Sequence, residues 1–73
     1  MDRIEFFKDL GFSEYEAKTL SSLIKLKSAN PKETNVDSGV PQNKLYSILK
    51  KFEKLGVLSI IPSEPKKYRL INI

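Results

Sequence analysis

The chain has 73 residues with a formal net charge of +4 and contains neither cysteine nor histidine. At this length we expect one domain, residues 1–73, that buries only about 60% of the surface its unfolded form exposes. The missing residue types exclude disulfides, thiolate or histidine metal sites and catalysis by Cys or His, so we expect neither an enzyme nor a bound cofactor or metal. No apolar run approaches the roughly 20 residues of a membrane span, and the first residues lack the form of a secretory signal, which predicts a soluble cytoplasmic protein.

The first two predicted helices span residues 2–10 and 14–27. Ser13 and Glu16 have the S-x-x-E spacing of a capping box, which indicates the start of the second helix. Apolar residues recur in both segments at the spacing of one helix face. The residues expected to face the core are Ile4, Phe7 and Leu10 in the first helix and Ala17, Leu20, Leu23 and Ile24 in the second.

The next two predicted helices, at residues 31–37 and 41–55, are joined by a tight turn that contains Gly39. Asn30 is a favourable capping residue for the third helix. The apolar stripe of the fourth helix consists of Leu45, Ile48, Leu49, Phe52 and Leu55. At about 100° per residue, the opposite side presents Asn43, Ser47, Lys50 and Lys54. Two short helices joined in this way, the second with a polar outer face, are typical of a helix-turn-helix with a recognition helix.

The C-terminal segment has the composition of β-strands, predicted at residues 57–61 and 66–72. Between them lie Pro62 and Pro65, which cannot sit inside a central strand. The second strand is expected to turn Tyr68 and Leu70 inward and Lys67 and Arg69 outward. A hairpin added behind a helix-turn-helix is a wing. The predicted fold is therefore mainly α with a small β-hairpin, a winged helix-turn-helix.

Positive charge is concentrated in the second half of the chain. Residues 1–39 hold six basic and seven acidic side chains, whereas residues 40–73 hold seven basic and two acidic ones. A surface selected only for solubility would more often intersperse the two signs. The asymmetry therefore favours a polyanionic partner such as nucleic acid.

Three stretches of the sequence resemble the N-terminal DNA-binding domain of the TrmB-like family of archaeal and bacterial sugar-responsive transcriptional regulators. They read GFSEYEAKTLSSLIKL, SGVPQNKLYSILKKFEKLGVL and PKKYRLI. The resemblance implies a winged helix-turn-helix that binds duplex DNA, usually as a dimer. It also implies that the effector-binding domain of such a regulator lies outside this chain, so we expect no small-molecule effector site within it.

The helix before the turn departs from the family pattern. Such helices usually carry an aliphatic residue and then an alanine, which is small enough for the two helices of the motif to cross closely. The corresponding residues here are Thr34 and Asn35. Two possibilities stay open: a looser crossing, or an apolar contact that has shifted to Val36.

The polar face and the resemblance together give a set of candidate DNA-binding residues. Gln42 and Asn43 offer the donor and acceptor that suit adenine, and lysines can donate to guanine N7 and O6 or to phosphates. Tyr46 either reaches a phosphate or is a half-buried core residue. The candidates in helix 41–55, expected in the major groove, are Gln42, Asn43, Lys44, Tyr46, Ser47, Lys50, Lys51 and Lys54. The candidates in the wing, residues 62–69, expected on the backbone or in the minor groove, are Lys66, Lys67 and Arg69.

Two further expectations concern partners. Phe6, Tyr15 and Leu26 are apolar residues that the core of a monomer does not clearly require, and they predict a homodimer. The main function predicted is a sequence-specific, double-stranded DNA-binding transcriptional regulator. An alternative with the same fold is a winged helix that docks on another protein in a transcription or assembly complex, which needs no concentrated positive charge.

Overall fold

The computed structural model describes residues 3–71, and its elements follow the predicted order. The helices are α1 (Arg3–Asp9), α2 (Glu14–Leu26), α3 (Pro31–Ser38) and α4 (Gln42–Lys54), and the strands are β1 (Leu58–Ile61) and β2 (Lys67–Leu70). Each predicted element is confirmed with small shifts of its boundaries. Residues 2 and 72, which the predicted boundaries included, lie outside the described residues.

Side-chain caps determine where α2 and α3 begin. Ser13 Oγ accepts the backbone N–H of Glu16 at 3.2 Å, and Glu16 Oε1 accepts that of Ser13 at 2.9 Å. Asn30 and Glu33 form the same reciprocal pair at the start of α3, at 2.7 and 2.9 Å. These caps satisfy amide groups that a helix leaves unpaired at its first turn, so both predicted starts are confirmed.

Polar side chains hold the turn between α3 and α4. Thr34 is fully buried, and its hydroxyl donates to the Asn30 carbonyl at 3.0 Å. Ser38 Oγ donates to the Thr34 carbonyl at 2.6 Å and accepts the N–H of Val40 at 3.1 Å. Asn35 Nδ2 donates to the Val40 carbonyl at 2.6 Å. Hydrogen bonds therefore stabilise this turn, and the two departures from the family pattern are part of them.

Val36 does not take over the apolar contact of α3, because its side chain is 76% exposed; the possibility of a contact shifted to Val36 is wrong. A threonine is tolerated at the buried position since its only donor is satisfied within the helix. Gly39 ends α3 in the left-handed conformation, with φ of 76°, and its N–H donates to the Asn35 carbonyl. This ending turns the chain into α4.

The core lies where α2, α4 and the sheet meet. Its buried side chains are Leu20, Leu23, Ala29, Leu49, Phe52 and Leu58. Phe12 extends the core toward α1, because its ring centroid lies 5.8 Å from that of Phe52 and 6.1 Å from that of Phe7, both edge to face. Such pairs add about 0.5–1.5 kcal/mol each to the effect of burial.

The two strands pair antiparallel, with Leu58 opposite Leu70 and Ile60 opposite Tyr68. Ala29 joins them through two reciprocal backbone hydrogen bonds with Tyr68, of 3.0 and 2.8 Å. Tyr68 and Leu70 pack against the core, as predicted. The bridge attaches the wing to the connection between α2 and α3, and the whole arrangement is the predicted winged helix-turn-helix.

Three residues predicted to face the core are exposed instead. Leu10 and Leu55, 62% and 63% exposed, each follow the last residue of their helix, so the chain turns away before either side chain can reach the core. Ile24 lies at the rim of the α2 stripe, where it lines a surface groove with Leu70 and Ile71. Ile24 shows where a helical wheel overestimates the width of the buried face, whereas Leu10 and Leu55 show where a helix ends before its predicted stripe does.

Candidate nucleic-acid interface

α4 is fixed to the core by one side and exposes the other. Leu45, Leu49 and Phe52 are fully buried, and Ile48 is half-buried against the core. The exposed candidates on α4 are Gln42, Asn43, Lys44, Tyr46, Ser47, Lys50, Lys51 and Lys54. A ligand as large as a duplex requires such access, while the contacts of each residue with bases or phosphates stay predictions.

The N-terminal end of α4 has no side-chain cap. Pro41 occupies the capping position, and its carbonyl accepts the N–H groups of Lys44 and Leu45, both at 3.0 Å. The first turn carries no acidic residue. A carboxylate there would stabilise the helix but would repel a polyanion, so its absence keeps this end positive.

Tyr46 lies in the first half of α4, outside its buried stripe. Its side chain is 55% exposed, so the expectation of a half-buried core residue does not hold for it. Tyr68 of β2 is the half-buried tyrosine, and burial raises the pKa of its phenol, with the charges of Glu53 and of ionised Tyr46 adding to the effect. α4 packs against β1, so α4 and the wing are neighbours.

The wing presents its cations on the outer face of the hairpin. Lys67 pairs with Ile61 and Arg69 with Ser59, so both alternate with the inward-facing Tyr68. Arg69 is exposed and Lys67 is half-buried. Lys66 is exposed in the loop before β2. The outward orientation predicted for Lys67 and Arg69 is confirmed, whereas their binding partners stay a prediction.

Four ion pairs join charged side chains within residues 3–71, and one of them includes a lysine of α4. Lys51 Nζ lies 2.6 Å from Glu16 Oε2. The pKa of Glu16 is lowered by the hydrogen bond from Lys51 and then by that from the Ser13 amide. By contrast, no carboxylate of the described residues pairs with Lys50 or Lys54. Their ammonium groups are therefore available to an anionic ligand.

A second polar contact orients α3 on α2. Asp37 accepts hydrogen bonds from the Ser22 hydroxyl and from Lys25 Nζ, the latter at 2.8 Å. These bonds, the one from Lys25 first, lower the pKa of Asp37. Neither this contact nor the pair of Lys51 with Glu16 was predicted from the sequence. The partners are 12 to 35 residues apart, so helical periodicity carries no signal for them.

Two other features, a membrane-spanning helix and a metal-binding cluster, are absent from the described residues. No helix among residues 3–71 is long and apolar enough to cross a membrane. Within the same residues, no group of three acidic side chains converges as a metal site would require.

Comparisons with known proteins agree with this architecture. One relative is the "HTH-type sugar sensing transcriptional regulator TrmBL1" of Pyrococcus furiosus, 23% identical over 69 residues, which cover 94% of this chain and 20% of that protein. Another is the uncharacterized protein MJ1623 of Methanocaldococcus jannaschii, 35% identical over 69 residues, or 94% of this chain and 13% of that protein. This chain thus spans a fifth or less of either relative.

A solved structure is also similar. It is that of TrmBL2, described as an archaeal chromatin protein with a novel mode of DNA binding. It superimposes with a TM-score of 0.83 and 27% identity over 96% of this chain and 27% of that one. The family described as "Sugar-specific transcriptional regulator TrmB" matches residues 7–73. Its members are regulators rather than enzymes, in agreement with the expectation that the chain has no enzymatic activity. The resemblance found in the sequence is therefore confirmed, and the chain belongs to the TrmB family.

Proposed function

We propose that this domain binds duplex DNA as part of a transcriptional regulator, with α4 in the major groove and the wing on the backbone or in the minor groove. The observation that carries the proposal is the outer side of α4, where Asn43, Ser47, Lys50 and Lys54 are exposed beside a cationic hairpin. TrmBL1 is named as a transcriptional regulator and TrmBL2 as a DNA-binding chromatin protein, which supports the same role. The role requires access to the genome, for which we propose the cytoplasmic location predicted from the sequence.

The N-terminal half of α4 is the part proposed to read bases. Gln42 and Asn43 can each pair with adenine through one donor and one acceptor, and Lys44 can donate to guanine. Each good bidentate contact discriminates against the wrong base by about 1–3 kcal/mol. Ser47 and Tyr46, one turn later, would contact the groove edge or a phosphate.

The cations farther along α4 and on the wing are proposed to contact phosphates. Lys50 and Lys54 continue the outer side of α4, and the cations of the hairpin are Lys66, Lys67 and Arg69. Such contacts add affinity without sequence information and make binding depend on salt.

A dimer is part of the proposal. A single module buries about 600–1,000 Å² on DNA, which gives weak binding at physiological salt. Two copies that read half-sites about one helical turn apart would restore affinity and specificity. Phe6 and Tyr15 are exposed and suit the contact, whereas Leu26 is half-buried against the core of its own chain. A sedimentation experiment that finds only monomers at tens of micromolar, with and without DNA, would contradict this part.

The similarity to a chromatin protein favours a second candidate function, sequence-independent coating of DNA. Both functions use the same surface, but they differ in the ratio of affinities for different sequences. A specific regulator binds its site about 10³–10⁷-fold more tightly than other DNA. A coating protein would show a ratio near one.

The test is a fluorescence anisotropy titration with random duplexes and with genomic fragments, each at several salt concentrations. The double variant Lys50→Glu/Lys54→Glu should lower affinity about a hundredfold or more, because two phosphate contacts become repulsions. Its thermal transition should barely move since both residues are exposed. The control Arg3→Glu/Lys8→Glu changes the net charge equally on α1 and should retain most of the affinity.

Three results would contradict the proposal or its details. Wild-type protein that binds no duplex at low salt would leave the protein-docking alternative. Equal losses in the two double variants would mean that net charge, rather than the outer side of α4, determines binding. A ratio near one among genomic fragments would replace the specific regulator with the coating function.

A further inference from the structure

Lys51 differs from the other lysines of α4 because its ammonium group already has a partner. Lys51 Nζ lies 2.6 Å from Glu16 Oε2, and the side chain of Glu16 is only 12% exposed. Lys50 and Lys54 have no carboxylate partner within residues 3–71, although they belong to the same helix. The three lysines therefore do not present equivalent groups to a ligand.

Both oxygens of Glu16 are in use. Oε1 accepts a hydrogen bond from the N–H of Ser13 and completes the cap of α2, while Oε2 accepts one from Lys51 Nζ. If Lys51 moved to a phosphate, the Glu16 carboxylate would lose its countercharge and one of its two hydrogen bonds. The contact with Glu16 therefore competes directly with any contact between Lys51 and DNA.

The ion pair lies next to an aromatic contact between the same two parts of the chain, in addition to the shared core of α2 and α4. The residues next to Ser13 and Lys51 in the sequence are Phe12 and Phe52, whose rings meet edge to face at a centroid distance of 5.8 Å. One apolar and one charged contact thus join the start of α2 to the C-terminal half of α4. Two contacts of different kind restrict both the distance and the rotation of α4 on its support.

We propose that Glu16 and Lys51 are positioning residues that set the orientation of α4 for DNA binding, and that Lys51 does not contact phosphate. The inference rests on the proposed function and deepens it. Asn43 lies eight residues before Lys51, about 12 Å along the helix axis at 1.5 Å per residue. A tilt of about 10° at the connection displaces Asn43 by about 2 Å, which is enough to break hydrogen bonds that need heavy-atom distances near 3 Å.

The test measures how the DNA affinity of single lysine-to-methionine variants depends on salt concentration. Lys50→Met and Lys54→Met should each lower the slope of log affinity against log salt by about 0.9, the value for one lost phosphate contact. Lys51→Met should weaken binding about threefold at every salt concentration, the effect of losing a partly exposed ion pair, with an unchanged slope. Lys18→Met is the matched control, because Lys18 pairs with Glu14 inside α2 alone, and it should change neither quantity.

The partner is tested by Glu16→Gln, which keeps an acceptor for the cap and removes the charge. It should weaken binding about as much as Lys51→Met, and the double variant should be no weaker than either single one, because both remove the same contact. Lys51→Arg should retain wild-type affinity, because arginine keeps a cation that can pair with Glu16. All titrations use a temperature at which thermal unfolding shows every variant folded, so that a loss of stability alone cannot change the affinity.

The outcomes separate the inference from the proposed function. A slope that falls by about 0.9 in Lys51→Met, or tighter binding with a steeper slope in Glu16→Gln, would mean that Lys51 contacts phosphate, and would overturn the inference alone. Unchanged affinity in Lys51→Met would overturn it as well. A wild-type protein that fails to bind duplex DNA would overturn the proposed function and the inference together, and this result needs no variant.

Discussion

α2 and α4 are both 13 residues long, but their polar groups have different partners. α2 begins with a reciprocal cap, and both of its lysines are paired with carboxylates. Lys18 lies 3.3 Å from Glu14, and Lys25 lies 2.8 Å from Asp37. The polar groups of α2 thus serve the structure of the domain itself.

α4 has the opposite character. It begins at Pro41 without a side-chain cap, and three of its four lysines have no ion-pair partner among residues 3–71. Its attachment comes from Leu45, Leu49 and Phe52 on one side. The polar groups of α4 thus make few contacts within the domain. Because unpaired polar groups cost little in water, they stay available to a partner.

The same substitution should have opposite effects on stability in the two helices. Ser13→Ala removes the cap of α2 and should lower the free energy of unfolding by about 1 kcal/mol, or roughly 4–8 °C in Tm. Ser47→Ala, at an exposed position inside α4, should raise the free energy of unfolding by about 0.5 kcal/mol through helix propensity. Thermal unfolding by circular dichroism measures both.

DNA affinity distinguishes the two variants in a second way. Ser47→Ala should weaken binding despite its greater stability, since the lost hydroxyl belongs to the proposed interface. Ser13→Ala should bind normally at temperatures where it is folded. A loss of stability in both variants would mean that Ser47 has a structural partner and that the two helices are less different than described.

The sequence predicted the parts of this structure that depend on local pattern. The cap at Ser13, the cap at Asn30 and the apolar stripe through Leu45, Leu49 and Phe52 are all confirmed. Each rests on residues within one or two turns of each other, where spacing determines geometry. The order of elements and the inward face of β2 followed from the same kind of signal.

The candidate site was predictable as a surface but not as a set of contacts. Lys50 and Lys51 were both predicted to contact DNA, yet of the two only Lys51 has a carboxylate partner among residues 3–71. Its partner Glu16 was predicted only as part of a cap, since nothing local indicates that the second oxygen faces another helix. Similarly, Thr34 looked like a weak point of the motif, whereas its burial and hydrogen bond make it part of the turn.

The C-terminal ends of the two helices also differ. Gly56 follows α4 with φ of 78°, whereas Lys27 follows α2 with φ of 69° and ψ of −51°. Ser28 N–H donates to the Leu26 carbonyl at 2.8 Å. This bond closes a γ-turn centred on Lys27, and γ-turns with a positive φ are strained. Lys27→Gly should raise the free energy of unfolding by about 0.5–1 kcal/mol, because the relief of strain exceeds the entropy that glycine adds to the unfolded chain. Chemical denaturation measures this difference.

Lys27→Ala is the matched control for this prediction. Alanine removes the same charge and the same long side chain but keeps the Cβ atom that causes the strain. It should therefore show none of the gain. Equal stabilities of Lys27→Gly and Lys27→Ala would mean that the turn after α2 carries no strain, and that the two helix ends are energetically alike.

Acid pH should weaken the two carboxylate contacts of α2, which pair Glu16 with Lys51 and Asp37 with Lys25. The pKa values of Glu16 and Asp37 are both lowered in the folded protein, by bonds from Lys51 and Lys25 respectively. A lowered folded pKa stabilises the protein at pH values above the unfolded pKa, and this stabilisation is lost as the pH falls through the folded value. Stability should therefore be level from pH 7 to 5 and should fall below about pH 4, near the ordinary pKa values of these side chains. Because the partner lysines are largely exposed, each carboxylate should contribute only about 0.5 kcal/mol.

The double variant Glu16→Gln/Asp37→Asn isolates this small effect. It keeps the size of both side chains and one acceptor oxygen on each, but it has no charge to lose. Its Tm should therefore be lower than that of the wild type at pH 7 and should fall less between pH 5 and pH 3. Glu53→Gln, which removes one carboxylate from α4, is the control and should follow the wild-type profile. Parallel profiles for the double variant and the wild type would show that the two carboxylates do not stabilise α2 through their charge. The connection between Glu16 and Lys51 would then be too weak to orient α4, so the pH profile also constrains the proposed positioning role.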